Sequence, residues 1–129
     1  MERSLLHRRI LLAGGIWNLA MGVSITFLVP WLPTILKIEE PRYPIFIYFN
    51  LMTVTMFGFV ALTMSRHLAA MRPLLPVLVW SKIMTFGVFI AAVLFLPTPP
   101  KLSEFLAGGM VIDLILGLLY WRIWVETKA

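Results

Sequence analysis

Three residues of this 129-residue sequence combine chemical capability with an unusual setting: Asn18, Lys82 and Asp113 each stand inside a long apolar run. Lys82 lies within "PVLVWSKIMTFGVFIAAVLFL" (76–96), Asp113 within "FLAGGMVIDLILGLLYW" (105–121) and Asn18 within "ILLAGGIWNLAMGVSITFLV" (10–29). An amine and a carboxylate can form an ion pair or pass a proton between them, and a carboxamide can donate and accept beside them. At a rise of 1.5 Å per residue, counted from Ile10, Leu74 and Phe105, each sits about 12 Å into its span, near the middle of a hydrocarbon core about 30 Å thick. An ionised side chain there costs about 2.5–3.5 kcal/mol on insertion scales, so such groups turn into the protein and pair. Three polar groups on three helices therefore share one slab of membrane and are expected to form a buried cluster. Its expected role is an interhelical pair, Lys82 with Asp113, that fixes packing with Asn18 as added glue. The alternative is that the same cluster lines a cavity and contacts a ligand, an ion or a proton path. In a third arrangement Lys82 snorkels to the interface and never meets Asp113.

The elements that must position these groups follow from composition. With 60% hydrophobic and 13% charged residues and a mean hydropathy of +0.92, the chain has too little polar surface for a water-soluble domain. Four segments are long enough to cross a bilayer as helices: 10–29, 44–64, 74–96 and 105–121. They are continuously apolar, without the alternation of barrel strands. The expectation is one all-α domain over residues 1–129, an integral membrane four-helix transmembrane bundle. Proline-rich separators ("PWLPTILKIEEPRYP", "SRHLAAMRP", "PTPPKLSE") punctuate the spans. In the first separator, Trp31, Leu32, Ile35, Leu36 and Ile38 suit either a short interfacial helix with Pro33 in its first turn or an irregular loop. The basic, then apolar, start resembles a signal peptide, but the run is long, contains Asn18 and lacks a cleavage site, so an uncleaved span is expected.

Charge sets orientation. Arg3, Arg8, Arg9, Arg66, Arg72, Arg122 and Lys128 fall on one side, whereas Lys37, Arg42 and Lys101 fall on the other. By the positive-inside tendency both termini are expected in the cytoplasm. The same distribution explains the basic balance without nucleic acid, which is not expected as a partner. The expected partners are the lipid bilayer and other membrane subunits or further copies of the chain.

Small and polar residues refine the picture. Gly14, Asn18 and Gly22 recur at four-residue spacing, as do Gly109, Asp113 and Gly117, so each polar group is centred in a stripe where helices can approach closely. Ser81 and Thr85 flank the lysine, and Asn50 with Thr53 adds polarity on the second span, making these four candidate cavity-lining residues. Trp31, Tyr43, Trp121 and Trp124 suit membrane edges, Trp17 and Trp80 the bundle interior. Methionines such as Met52 and Met56 can line an adaptable apolar pocket, although packing or lipid contact is commoner.

Catalytic signatures are missing from the sequence. Cysteine is absent, which removes disulfides, thiolate metal sites and thiol nucleophiles. His7 and His67 are expected as solvated interfacial side chains rather than metal or haem ligands. No second carboxylate accompanies Asp113, and the two "AGG" triplets lie in apolar helices rather than after strands. No metal and no cofactor are expected.

"GIWNLAMG", Pro30, "RYP" at the start of span two, Lys82 followed by "GVF", and "IDLILG" in span four together form a recognisable series. It resembles a group of small bacterial four-span integral membrane proteins whose segments read G-I-Y-N-L-x-x-G, Y-P, G-K-x-x-G-P-x-G-F and N-D-L-I-W-W. The chain departs from that pattern at Ser81, at "MTFGV" and at Ile112. The resemblance implies a four-span fold with Asn18, Lys82 and Asp113 at its polar positions, and a bacterial inner membrane as location. Two functions are carried forward. The first is a non-enzymatic accessory or interaction subunit ordered by the buried cluster. The second is a small-molecule or lipid-binding, or transporting, bundle that uses the cluster in an intramembrane cavity.

Overall fold

A computed structural model describes residues 2–128. In lipid every backbone amide must be satisfied within its own segment, and the chain meets this with helices alone among the described residues. In chain order they are α1 (Glu2–Leu28), α2 (Leu32–Leu36), α3 (Ile45–Arg66), α4 (Leu68–Met71), α5 (Leu75–Phe95) and α6 (Pro100–Glu126). A single 3-10 turn, Arg72–Leu74, joins α4 to α5. Counting Leu68–Phe95 as one span, four helices are long and apolar enough to cross a membrane, so the protein is an all-α, membrane-type bundle.

Helix limits track proline chemistry, with several departures from the sequence expectation. Helix α1 stops two residues before Pro30 and α3 starts just after Pro44. The 65–73 separator is mostly helical rather than loop, because Pro73 and Pro76 fall in first turns, where no amide donor is needed. For the same reason α6 begins at Pro100 instead of near residue 105, and it continues to Glu126 rather than Trp121. Helix α1 likewise extends back to Glu2, since nothing in "RSLLHRR" breaks a helix. The first separator does contain a short helix: α2 carries Pro33 in its first turn and closes on Lys37, whose φ of 51° places it in the left-handed region. Leu36 of α2 and Val29, just before it, are both buried.

The bundle consists of two antiparallel pairs, α1 with α3 and α5 with α6, which meet chiefly through α1 and α6. Glycine sets the first pair. A Cβ on Gly15 would stand 3.0 Å from the Gly58 carbonyl oxygen, and one on Gly58 would stand 2.9 Å from the Leu19 amide nitrogen, so the two backbones touch. In the second pair a Cβ on Gly117 would lie 3.1 Å from Lys82 Cβ.

A compact apolar core of Leu11, Ala61, Met64, Leu75, Leu78, Val79, Leu116, Tyr120 and Ile123 joins all four spans at the end that carries the chain termini. The other end is different. The buried residues of α5 stop at Lys82 and those of α6 begin at Leu116, so the far halves of both helices bury nothing fully. The bundle is closed at the termini-bearing end and open toward the other.

A polar floor in an intramembrane cavity

Lys82 is 5% exposed, and its ammonium is the centre of the site. Nζ donates to Asp113 Oδ1 at 2.5 Å and to Asn18 Oδ1 at 2.6 Å, tying α5 to α6 and to α1. The three expected polar residues thus come together, and snorkelling does not occur. Charge-assisted bonds of this kind are the strong class, and here the charges cancel within one contact. Gly117 makes the geometry possible, because the lysine stem passes over a position with no side chain.

Two members of the cluster, Asn18 and Asp113, form the floor of a cavity of about 770 Å³, and the buried Lys82 holds them from outside its lining. From Asn18 to the end of α1 is about 15 Å of helix, and from Asp113 to the start of α6 about 20 Å. The walls between are Met21, Ile25, Leu51, Val54, Leu106 and Met110, with Asn50 among them, and the far rim is formed by α2, Lys37, Ile38, Glu39, Pro41 and Pro99. Among the described residues Asn18 Nδ2 and Asp113 Oδ2 make no hydrogen bond. Among the described residues the one fully enclosed side-chain polar atom without a partner is the Tyr120 hydroxyl, so both of those atoms are reachable from the cavity. The floor therefore offers the open Asn18 amide donor and the open Asp113 carboxylate acceptor on two residues bridged by one ammonium.

Of the four candidate lining residues, Asn50 and Thr85 line the cavity, whereas Thr53 and Ser81 do not. Thr53 donates to the Phe49 carbonyl and Ser81 to that of Leu78, as hydroxyls on membrane helices commonly do. Of the four packing glycines, Gly14, Gly22 and Gly117 are in tight contact, but Gly109 is not: a Cβ there meets nothing within 4 Å, and Gly109 lines the cavity instead. The α1 stripe also divides. Gly14 faces Tyr120 of α6, while Gly22 faces Thr55 of α3. Gly15 and Gly58, the closest α1–α3 approach, carried no four-residue spacing to single them out.

Two further expectations are corrected. His7 is buried rather than solvated, with Nε2 donating to Glu126 Oε2 at 2.6 Å, and Arg122 Nε reaches Glu126 Oε1 at 2.8 Å. This cluster clamps α1 to α6 at the termini-bearing end. Trp80 is half-exposed instead of interior and packs edge-to-face on Trp121 at 6.2 Å. Met52 and Met56 face outward, and the cavity methionines are Met21 and Met110. No described group of three or more His, Asp or Glu side chains is placed to hold a metal ion.

Compared with known proteins, the chain matches no family model, no curated protein and no solved structure. The function must be argued from the site itself.

Proposed function

We propose that this protein is a non-enzymatic, integral membrane binding bundle that accommodates a small amphiphilic molecule in the cavity above Lys82, Asp113 and Asn18. The observation that carries the reading is the pairing of an apolar shaft with a polar floor that keeps unspent hydrogen-bonding capacity. Open polar atoms in a membrane interior are costly, and Asn18 Nδ2 and Asp113 Oδ2 border a cavity in which an occupant can satisfy them. The cavity volume falls in the range of small-molecule sites, about 300–1,000 Å³. Interhelical packing by the same lysine is part of this reading, since the pair that holds α5, α6 and α1 together is what leaves the far end free to open.

We place both termini in the cytoplasm of a bacterial inner membrane, on the charge asymmetry and on the motif resemblance. The cavity then faces the outer side. Action as one subunit of a larger assembly, including one that moves the bound molecule, is compatible with a site of this kind and rests on no separate observation.

The test uses the absence of native cysteine. Gly109→Cys and Gly108→Cys are neighbours on α6 that both have room for a side chain, but only Gly109 lines the cavity. In delipidated protein returned to phosphatidylcholine nanodiscs, a small water-soluble methanethiosulfonate should modify Gly109→Cys at least about tenfold faster, because reaction requires a hydrated thiolate. Equal rates at the two positions would mean the cavity is closed or lipid-filled, and the reading would fail.

A further inference from the structure

The floor of the cavity specifies the head of its occupant. Lys82 Nζ meets Asp113 Oδ1 at 2.5 Å, one amine matched to one carboxyl group, so the floor carries no excess charge while remaining strongly polar. Both Oδ1 atoms are taken by the lysine. What remains is Asn18 Nδ2, a donor, and Asp113 Oδ2, an acceptor, on two residues bridged by one ammonium. Thr85 lies one turn above Lys82 on the same wall, and its hydroxyl donates to the Ser81 carbonyl, which leaves its oxygen as a further acceptor.

Extending the reading above, on which this rests, we propose that the cavity takes a mostly apolar molecule carrying one uncharged head that both donates and accepts hydrogen bonds, as a primary carboxamide or an alcohol does. Such a head accepts from Asn18 and donates to Asp113, closing both open valences at once. A cation would compete with Lys82 for Asp113, and an anion would compete with Asp113 for Lys82. Either would bring an uncompensated charge to the middle of the membrane, where unpaired charges are strongly disfavoured. The shaft adds the second requirement. Apart from the Asn50 carboxamide on the α3 wall, the shaft side chains (Met21, Ile25, Leu51, Val54, Leu106 and Met110) are apolar, so the body of the molecule must be mostly apolar. At about 30 Å³ per water-sized group the volume holds on the order of 25 such groups. An unbranched twelve-carbon chain with a small head fits with space left over. Charged residues return only at the rim, with Lys37 and Glu39.

The experiment measures protection of Gly109→Cys in the full-length protein in nanodiscs, with five probes that share a twelve-carbon chain: dodecanamide, dodecanol, dodecanesulfonate, dodecyltrimethylammonium and dodecane. The two ionic probes keep their charge at any working pH. Each probe is compared at the same membrane mole fraction. The amide and the alcohol should slow modification by at least about tenfold more than either ion does, the ratio expected when the disfavoured head costs more than about 1.4 kcal/mol. They should also protect better than dodecane, which lacks a head. Equal or stronger protection by an ionic probe overturns the head assignment and leaves the cavity as a binding site. Protection by dodecane equal to that by the amide shows that the floor does not read the head, and overturns it too. A cysteine that reacts quickly and is protected by none of the five overturns the binding reading itself.

Discussion

Lys82 Cβ rests against Gly117: a Cβ added at the glycine would stand 3.1 Å from it and 3.6 Å from Ile83 Cγ1. The ion pair to Asp113, four residues earlier on the same helix, depends on that close passage. Gly117→Val should therefore separate α5 from α6 and cost about 1–3 kcal/mol, the usual range for overpacking. Gly108→Val, at a position with nothing within 4 Å, is the control and should cost less. Thermal unfolding in a mild detergent reads both.

Tyr120 and Gly14 make the second test. The Tyr120 hydroxyl is fully enclosed and unpartnered, and a Cβ at Gly14 would collide with it. Tyr120→Phe should leave stability unchanged or raise it by up to about 1–3 kcal/mol, because an unsatisfied polar atom is removed with little change of shape. Gly14→Ala should be damaging in the native protein and less so in Tyr120→Phe. A double-mutant cycle on thermal stability checks the coupling.

The histidine clamp predicts a smaller effect. His7 is buried and its one hydrogen-bond partner is Glu126. His7→Leu should cost about 0.5–1.5 kcal/mol, while the same change at exposed His67 should cost less. Comparison of the two midpoints in one detergent is sufficient.

Orientation is checked with reporter fusions. A cytoplasm-active reporter at the carboxyl terminus should be active, and one inserted at residues 97–99 should be inactive. The reverse pattern would contradict both the termini assignment and the outward-facing cavity.

The polar cluster was legible in the sequence because Asn18, Lys82 and Asp113 are conspicuous in apolar runs and membrane physics leaves such groups few other solutions. The number of spans was legible for the same reason of length and hydropathy. The cavity was not. Leu106 and Met110 facing an internal space are indistinguishable, by residue type, from Met52 and Met56 facing lipid. Nor does a glycine announce its neighbour: Gly14 and Gly15 are adjacent, yet one receives Tyr120 and the other Leu62 and the Gly58 backbone. His7 read as solvated because it lies at the interfacial end of the first span, whereas the extra turns of α1 and α6 beyond the expected spans bring it to Glu126. Helix ends misread at prolines had a common cause, since proline at a first turn starts a helix as readily as proline elsewhere stops one.

The most direct test of the central claim is a double-mutant cycle on Lys82→Met and Asp113→Leu, scored in parallel for thermal stability and for protection of Gly109→Cys by dodecanamide. Each single change should cost about 3–5 kcal/mol by leaving one charge unpaired, and the double change should recover most of that loss, since an apolar pair of similar volume carries no desolvation cost. Protection by the amide should stay lost in the recovered double variant, because its acceptor at residue 113 is gone. If both single variants are as stable as the native protein, or if the double variant still protects its cysteine with the amide as the native floor does, then Lys82 and Asp113 are not the joint foundation of the bundle and of its binding site.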